Sequence, residues 1–202
     1  ERQYGDPDRV YFSPRWSPDG TRLAALQMPG RDDESPQAHA VIWTTAGDLI
    51  ATTALEAFPS ILEWSPDSTR LAALGGQGVA VLSADGDEIG WAPSTPLAGG
   101  GTSWTNLPFS YWSPDSAHLA LVQNSLLHVV DREALGAEYD LPETVSPPIF
   151  IGWQDATTLS VFVISAEDDP TAGEYMGVLG TELTWSGPQP YDLLSQTIDE
   201  AT

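Results

Sequence analysis

Trp64-Ser65-Pro66-Asp67-Ser68, followed by Thr69-Arg70-Leu71-Ala72-Ala73-Leu74, reads as a strand end, a tight turn and a second strand. It is one of a series. Trp16-Ser17-Pro18-Asp19-Gly20 stands 48 residues earlier, and Trp112-Ser113-Pro114-Asp115-Ser116 stands 48 residues later. Gly152-Trp153-Gln154-Asp155-Ala156 is a worn fourth copy, its Trp 41 residues beyond Trp112. A period of about 40–50 residues marks a repeat architecture, in which each unit buries its faces against its neighbours.

The turn chemistry is explicit. Pro at the second position pre-sets φ for a type I turn, Ser at the first bonds back to the backbone, and Gly20 suits the fourth position. Reading outward in the second unit, Ile61–Trp64, Arg70–Leu74, Val79–Leu82 and Glu88–Trp91 are predicted strands. Asp85-Gly86 is a two-residue hairpin signal between the last two. The first unit reads Tyr11–Trp16, Leu23–Gln27, Ala40–Thr44 and Leu49–Thr53. The third reads Phe109–Trp112, His118–Val122, Leu126–Val130 and Ala137–Leu141. The fourth reads Ile149–Trp153, Thr158–Ile164, Tyr175–Leu179 and Glu182–Trp185.

Four antiparallel strands per repeat is the arithmetic of a propeller blade. The predicted fold is therefore all-β: a β-propeller of four four-stranded antiparallel blades over residues 1–190. The blades fall at about 10–55, 58–94, 107–142 and 147–187, with a C-terminal tail, 191–202, of some helical character. In this scheme Trp16, Trp64, Trp112 and Trp153 pack between blades. Pro18, Asp19, Pro66, Asp67, Pro114 and Asp115 build the turns.

These residues resemble the WD40-like, or PD40, repeat: Trp-Ser-Pro-Asp-Gly followed by a Leu-Ala strand. The resemblance covers roughly Val10 to Trp185. It implies a propeller like that of periplasmic TolB, or like those that precede the catalytic domain of prolyl-oligopeptidase-type (S9) peptidases. The fourth unit departs most from the pattern, with Gln154 for Ser and Asp155 for Pro.

TolB-like propellers commonly have six or more blades, and this chain supplies four. Blades one and four then each leave an apolar side open. Completion of the ring by a second copy or by another polypeptide segment is the preferred expectation. The alternative is a self-closed four-blade ring, similar in blade number to the hemopexin-type domain. The Cys pair that ties first to last blade there is absent here.

The bulk numbers narrow the function. Of 202 residues, 29 are acidic and seven basic, all seven of them Arg, for a net charge of −22. Such a field repels phosphate backbones and anionic headgroups, so no nucleic-acid partner and no membrane-surface role is expected. Direct membrane insertion is not expected either, since no apolar run reaches the roughly 18 residues of a span. The absence of Cys removes disulfides, thiolate catalysis and thiolate metal sites. No signal peptide is legible, and a trimmed, exported or excised segment would look like this; an extracytoplasmic location is the expectation.

Enzyme chemistry finds no foothold. There is no Gly-x-Ser-x-Gly elbow and no His-Glu-x-x-His pattern. His39, His118 and His128 form no metal or catalytic constellation, and Gly99–Gly101 is a loop without the Lys of a phosphate cradle. Strand connectivity places the long segments 29–39, 94–107, 142–148 and 166–174 on one face of the disc, opposite the Ser-Pro-Asp turns. Loops on a rigid scaffold often carry function. The candidate binding residues are therefore Trp104, in a Gly/Ser/Thr loop, and the acidic tips Arg31-Asp32-Asp33-Glu34 and Asp168-Asp169. Trp104 could instead pin its own loop, and the acidic tips could be solvated. Neither tip matches an EF-hand. No cofactor is expected, a loop-bound cation such as calcium being the one metal reading kept open. Asp85-Gly86-Asp87-Glu88 is read as a hairpin before a calcium ligand set. The sequence thus predicts a non-enzymatic, extracytoplasmic scaffold that meets a protein partner or itself. The alternatives are the propeller portion of a larger enzyme or of a membrane sensor or receptor kinase.

Overall fold

The computed structural model describes residues 4–30, 37–56, 59–75, 78–93, 112–123, 126–132, 136–140, 150–163, 173–179 and 183–189. Blade one is the sheet β1 (Tyr11–Trp16), β2 (Arg22–Gln27), β3 (His39–Thr44) and β4 (Leu49–Ala54), paired in chain order. Blade two repeats it with β5 (Pro59–Trp64), β6 (Arg70–Gly75), β7 (Gly78–Ser83) and β8 (Glu88–Pro93). Blade three holds β9 (His118–Gln123), β10 (Leu126–Asp131) and β11 (Gly136–Asp140). A bridge from Trp112 to Leu119 stands where its first strand ends. Blade four is β12 (Phe150–Trp153), β13 (Thr158–Val163), β14 (Gly173–Leu179) and β15 (Leu183–Gln189). Every pairing is antiparallel. The predicted all-β propeller of four antiparallel blades is the fold found. Predicted strands and observed ones agree to within one or two residues at most ends, and β15 runs four residues past the expected Trp185. The predicted helical tail and the start of the third unit's first strand lie outside the described residues.

The inner strands β2, β3, β6 and β7 are buried on both faces, which is why they read as near-continuous apolar runs. Alternate residues then serve opposite sides of the blade. Ala24, Leu26, Ala40 and Ile42 of blade one pack on Leu62, Trp64, Leu71, Ala73 and Leu82 of blade two. Ala72, Leu74, Val79 and Val81 of blade two pack on Trp112, Leu119, Leu121 and Val130 of blade three. Ala120, Leu127 and Val129 of blade three pack on Leu159, Val161 and Tyr175 of blade four. Each buried Leu, Ile or Val contributes about 1.5–3 kcal/mol, so these clusters are the main source of cohesion between blades. Hereafter the side of a blade that meets the preceding one is its leading side, and the other its trailing side.

Candidate functional site

The Ser-Pro-Asp turns close in one way three times. Gly20, Ser68 and Ser116 N–H donate to the carbonyls of Ser17, Ser65 and Ser113, each at 2.8 Å. The Ser17, Ser65 and Ser113 hydroxyls donate to Asp19, Asp67 and Asp115 Oδ1, each at 2.6 Å. The same hydroxyls accept the N–H of Arg22, Arg70 and His118. The carboxylates are thereby tied inward. The Ser17 hydroxyl and the Thr21 amide hold Asp19 below the usual carboxyl range. Burial raises Asp67, but the Ser65 hydroxyl with the Thr69 amide and hydroxyl outweighs it, so the net shift is downward. The Ser113 hydroxyl lowers Asp115. In the shorter fourth turn Asp155 takes the Thr157 amide and the Thr158 hydroxyl and amide instead, and is lowered by them.

The turns also join the blades. Asp19 N–H donates to Ser68 Oγ at 3.0 Å, and Asp67 N–H to Ser116 Oγ at 2.9 Å. Leu62 N–H donates back to Ser13 Oγ at 3.3 Å. Ser13, Ser68 and Ser116 are the three non-glycine residues with left-handed backbone among the described residues, at φ 51°, 62° and 63°. That conformation costs about 1–2 kcal/mol for a residue with a Cβ. A residue that merely turned the chain would be Gly, as Gly20 is at φ 70°. Serine is kept where its hydroxyl accepts an amide of a neighbouring blade.

The repeat tryptophans complete the joint. Trp64 Nε1 donates to the Arg15 carbonyl at 3.1 Å, and Trp112 Nε1 to the Glu63 carbonyl at 3.3 Å. Each acceptor lies one residue before the Trp of the preceding blade. Trp64 and Trp112 are accordingly 5% and 1% exposed. Trp16 departs from the expected burial between blades and is 51% exposed. No blade precedes it in this chain, and its indole N–H has no acceptor among the described residues. Trp153 is half-buried against the third-to-fourth cluster and stacks on His118 with ring centroids 6.1 Å apart.

The leading side of blade one is covered by another device. Leu23, Ala25, Val41 and Trp43 form an apolar cluster there, with Tyr4 and Tyr11 laid over it. Tyr4 sits edge-on to Trp16 and to Trp43, at 5.9 and 6.3 Å, and its hydroxyl donates to the Thr45 carbonyl. Gly5 lies against the Tyr11 ring, where a Cβ would come within 2.6 Å of ring carbon, and its φ of 76° turns the chain there. Asp6 N–H donates to the Tyr11 hydroxyl. The strap leaves an open cleft of about 320 Å³, lined by Asp6, Tyr11, Gln27, Trp43 and Leu49 among others. Val10, Trp16, Met28 and Leu49 are the exposed large hydrophobics of this blade, and the remaining one described, Val178, lies on blade four. Among the described residues the exposed large hydrophobics thus lie on the first and last blades. The described core clusters join blades one to two, two to three and three to four, so the four sheets form a partial propeller.

The candidate binding residues Arg31, Asp32, Asp33, Glu34, Trp104, Asp168 and Asp169 lie outside the described residues. Of the histidines, His39 begins β3 in blade one, while His118 and His128 lie on the paired strands β9 and β10 of blade three. Among the described residues no group of His, Asp or Glu could hold a metal ion. Asp85 is occupied as a hairpin residue and pairs with Arg22 Nη2 of blade one at 3.1 Å. Gly86 beside it is pressed on Ala51, leaving no room for a Cβ, and its carbonyl accepts the Thr53 hydroxyl.

No protein-family model matches the chain, and no curated protein is similar to it in sequence. Solved structures do match, all as likenesses of fold. Virginiamycin B lyase from Staphylococcus aureus is 15% identical with a TM-score of 0.52, over 94% of this chain and 60% of that one. The β-propeller domain of the trilobed protease from Pyrococcus furiosus, described as having an open velcro topology, is 14% identical with a TM-score of 0.52, over 90% and 58%. The Swd1 β-propeller domain from Myceliophteria thermophila is 13% identical with a TM-score of 0.50, over 78% and 52%. The chain spans about 60% of the length of the lyase it matches.

Proposed function

We propose that the chain is a non-enzymatic interaction module: an arc of PD40, or TolB-like, blades working outside the cytoplasm and completed by blades that the chain does not itself supply. Its loop-rich face meets a protein partner. The observation that carries the reading is the contrast between Trp16 and its two equivalents. Trp64 and Trp112 are sealed by a preceding blade, and Trp16 is half exposed in the same position of the repeat. Beyond the strap Trp16 and Leu49 stay exposed, and exposed apolar patches on soluble proteins mark interaction sites. The lack of an enzymatic role is argued from the residues: His118 stacks on Trp153, and the repeat carboxylates are consumed in closing turns. No cofactor is required, and a cation at the loop tips is the one ligand the acidity invites. A second reading, the propeller portion of a larger enzyme, is favoured by the match to about 60% of a lyase and to a protease's propeller domain.

Light scattering combined with a hydrophobic dye tests the partial ring. A chain that binds the dye, or that is heavier than its 21.6 kDa monomer, supports it. A monomer that binds no dye contradicts it.

A further inference from the structure

We propose that the outer edge of blade one, strand β4, is a docking surface for an extended, basic segment of a partner protein, which adds to the sheet as a further strand. The inference needs only blade one and the hairpin of blade two beside it, and does not rest on how the ring is completed.

The outer strand of a sheet presents a row of unpaired backbone groups, and natural edges are blunted by charge, Pro or local distortion. Three of the four outer strands here are blunted in this way. β8 carries Glu88, Gly90 and Pro93, and β11 carries Glu138 and Asp140. β15 carries Pro188 after Gly187, whose φ is 133°. β4 reads Leu49-Ile50-Ala51-Thr52-Thr53-Ala54, with no charge, no Pro and no Gly. Its one irregularity is at Ile50, where the register skips from Leu49 to Ala51, so the regular edge runs from Ala51 to Ala54.

The register shows which backbone groups are offered. Leu55 N–H donates inward to the Ala38 carbonyl at 2.9 Å. Antiparallel pairs alternate between bonded and non-bonded along the ladder. Thr53 opposite Ala40 and Ala51 opposite Ile42 continue the bonded series, so their backbone groups face β3. The N–H and C=O of Thr52 and Ala54 therefore point outward. Both residues are exposed, and neither has a backbone partner outside the sheet among the described residues. The strand is held firmly from the other side. Gly86 of blade two is pressed on Ala51, and its carbonyl accepts the Thr53 hydroxyl.

Charge selects the occupant. Asp48 stands just before the strand, Glu56 follows Leu55, and Asp87 lies next to Gly86 on the hairpin that touches Ala51. All three are exposed, and none is in an ion pair among the described residues. A second copy of the chain brings the same carboxylates on a body of net charge −22 and is repelled. An extended segment with Lys or Arg at its ends meets them. Backbone bonds along the edge then supply affinity, and the flanking charges supply selectivity.

A labelled peptide of alternating Val and Thr with Lys at both ends, and the same peptide ended by Glu, test the proposal on the full chain. Binding is read by fluorescence anisotropy, and its place by hydrogen exchange at the Thr52 and Ala54 amides. The Lys-ended peptide should bind and protect both amides, and the Glu-ended one should bind at least about tenfold more weakly. Thr52→Pro removes an N–H that β3 does not use, so it should weaken binding about tenfold while the chain stays folded. Thr52→Lys should weaken binding as well, and Thr52→Glu should not, a contrast of charge at one exposed position that a folding defect would not produce. No binding of the Lys-ended peptide up to about 1 mM overturns the proposal. So does equal binding of the two peptides, or binding indifferent to both Thr52→Pro and Thr52→Lys. Self-association of the chain that Thr52→Pro abolishes would assign the edge to a second copy and overturn the basic partner. None of these outcomes bears on the partial ring, which the light-scattering test decides separately.

Discussion

Replacing Trp112 by Ala should cost about 3–5 kcal/mol, the range for truncating a fully buried large aromatic. The structure puts it at the top of that range. Trp112 is 1% exposed between Leu119, Leu121 and the trailing side of blade two, so the cavity has packed walls. The change also removes the indole hydrogen bond to the Glu63 carbonyl, and a lost hydrogen bond costs about 0.5–1.5 kcal/mol. Trp16→Ala removes the same side chain from the same repeat position with about half its surface already in water and, among the described residues, no indole hydrogen bond to lose. Its cost should be about 1–2 kcal/mol, from the smaller area buried. Urea unfolding followed by circular dichroism compares the two variants directly, with Trp64→Ala expected to follow Trp112. Equal midpoint losses for Trp16→Ala and Trp112→Ala would refute the reasoning, because they would show Trp16 sealed as its equivalents are.

The left-handed serines make an inverted prediction. Ser68→Ala keeps the backbone strain and loses the bond from Asp19 N–H, so it should destabilise by about 1–2 kcal/mol. Ser68→Gly sheds the strain and should be milder, which chemical denaturation of the two variants would decide. The lowered carboxyls of Asp19, Asp67, Asp115 and Asp155 predict an acid limb. A carboxyl whose folded pKa is depressed adds stability above its unfolded value of about 3.9, and that stability is lost as pH falls through the folded value. Relief of the −22 charge on the way toward the pI of 4.1 works in the other sense, so stability should hold or rise until about pH 4 and then fall. The double variant Ser65→Ala, Ser113→Ala should show a flatter fall in melting temperature below that point. The purified chain should turn over no ester, peptide or glycoside substrate, and measured turnover abolished by His118→Ala would contradict that.

The blades were legible because Trp-Ser-Pro-Asp repeats verbatim and the apolar runs after it alternate in length with turns. Leu23–Leu26 and Leu71–Leu74 carry the strand signal, and Asp85-Gly86 the hairpin. The joint between blades was less legible. Ser68 and Ser116 occupy a turn position where glycine fits better, and that mismatch with Gly20 was the available signal for a hydroxyl with work to do across a blade boundary. The strap was missed. Tyr4 and Gly5 carry no repeat pattern, and their role follows from the apolar side of blade one having no blade before it, which is a matter of packing between elements. Trp16 was grouped with its equivalents because sequence shows the repeat position and not the missing neighbour. The loop residues Trp104, Asp168 and Asp169 and the Arg31–Glu34 tip remain candidates from sequence.

Site-resolved oxidation of the tryptophans in dilute solution, read by peptide mass, tests the open end most directly. The account predicts that Trp16 is oxidised early while Trp64 and Trp112 stay protected until the chain unfolds. Protection of Trp16 equal to theirs would contradict it.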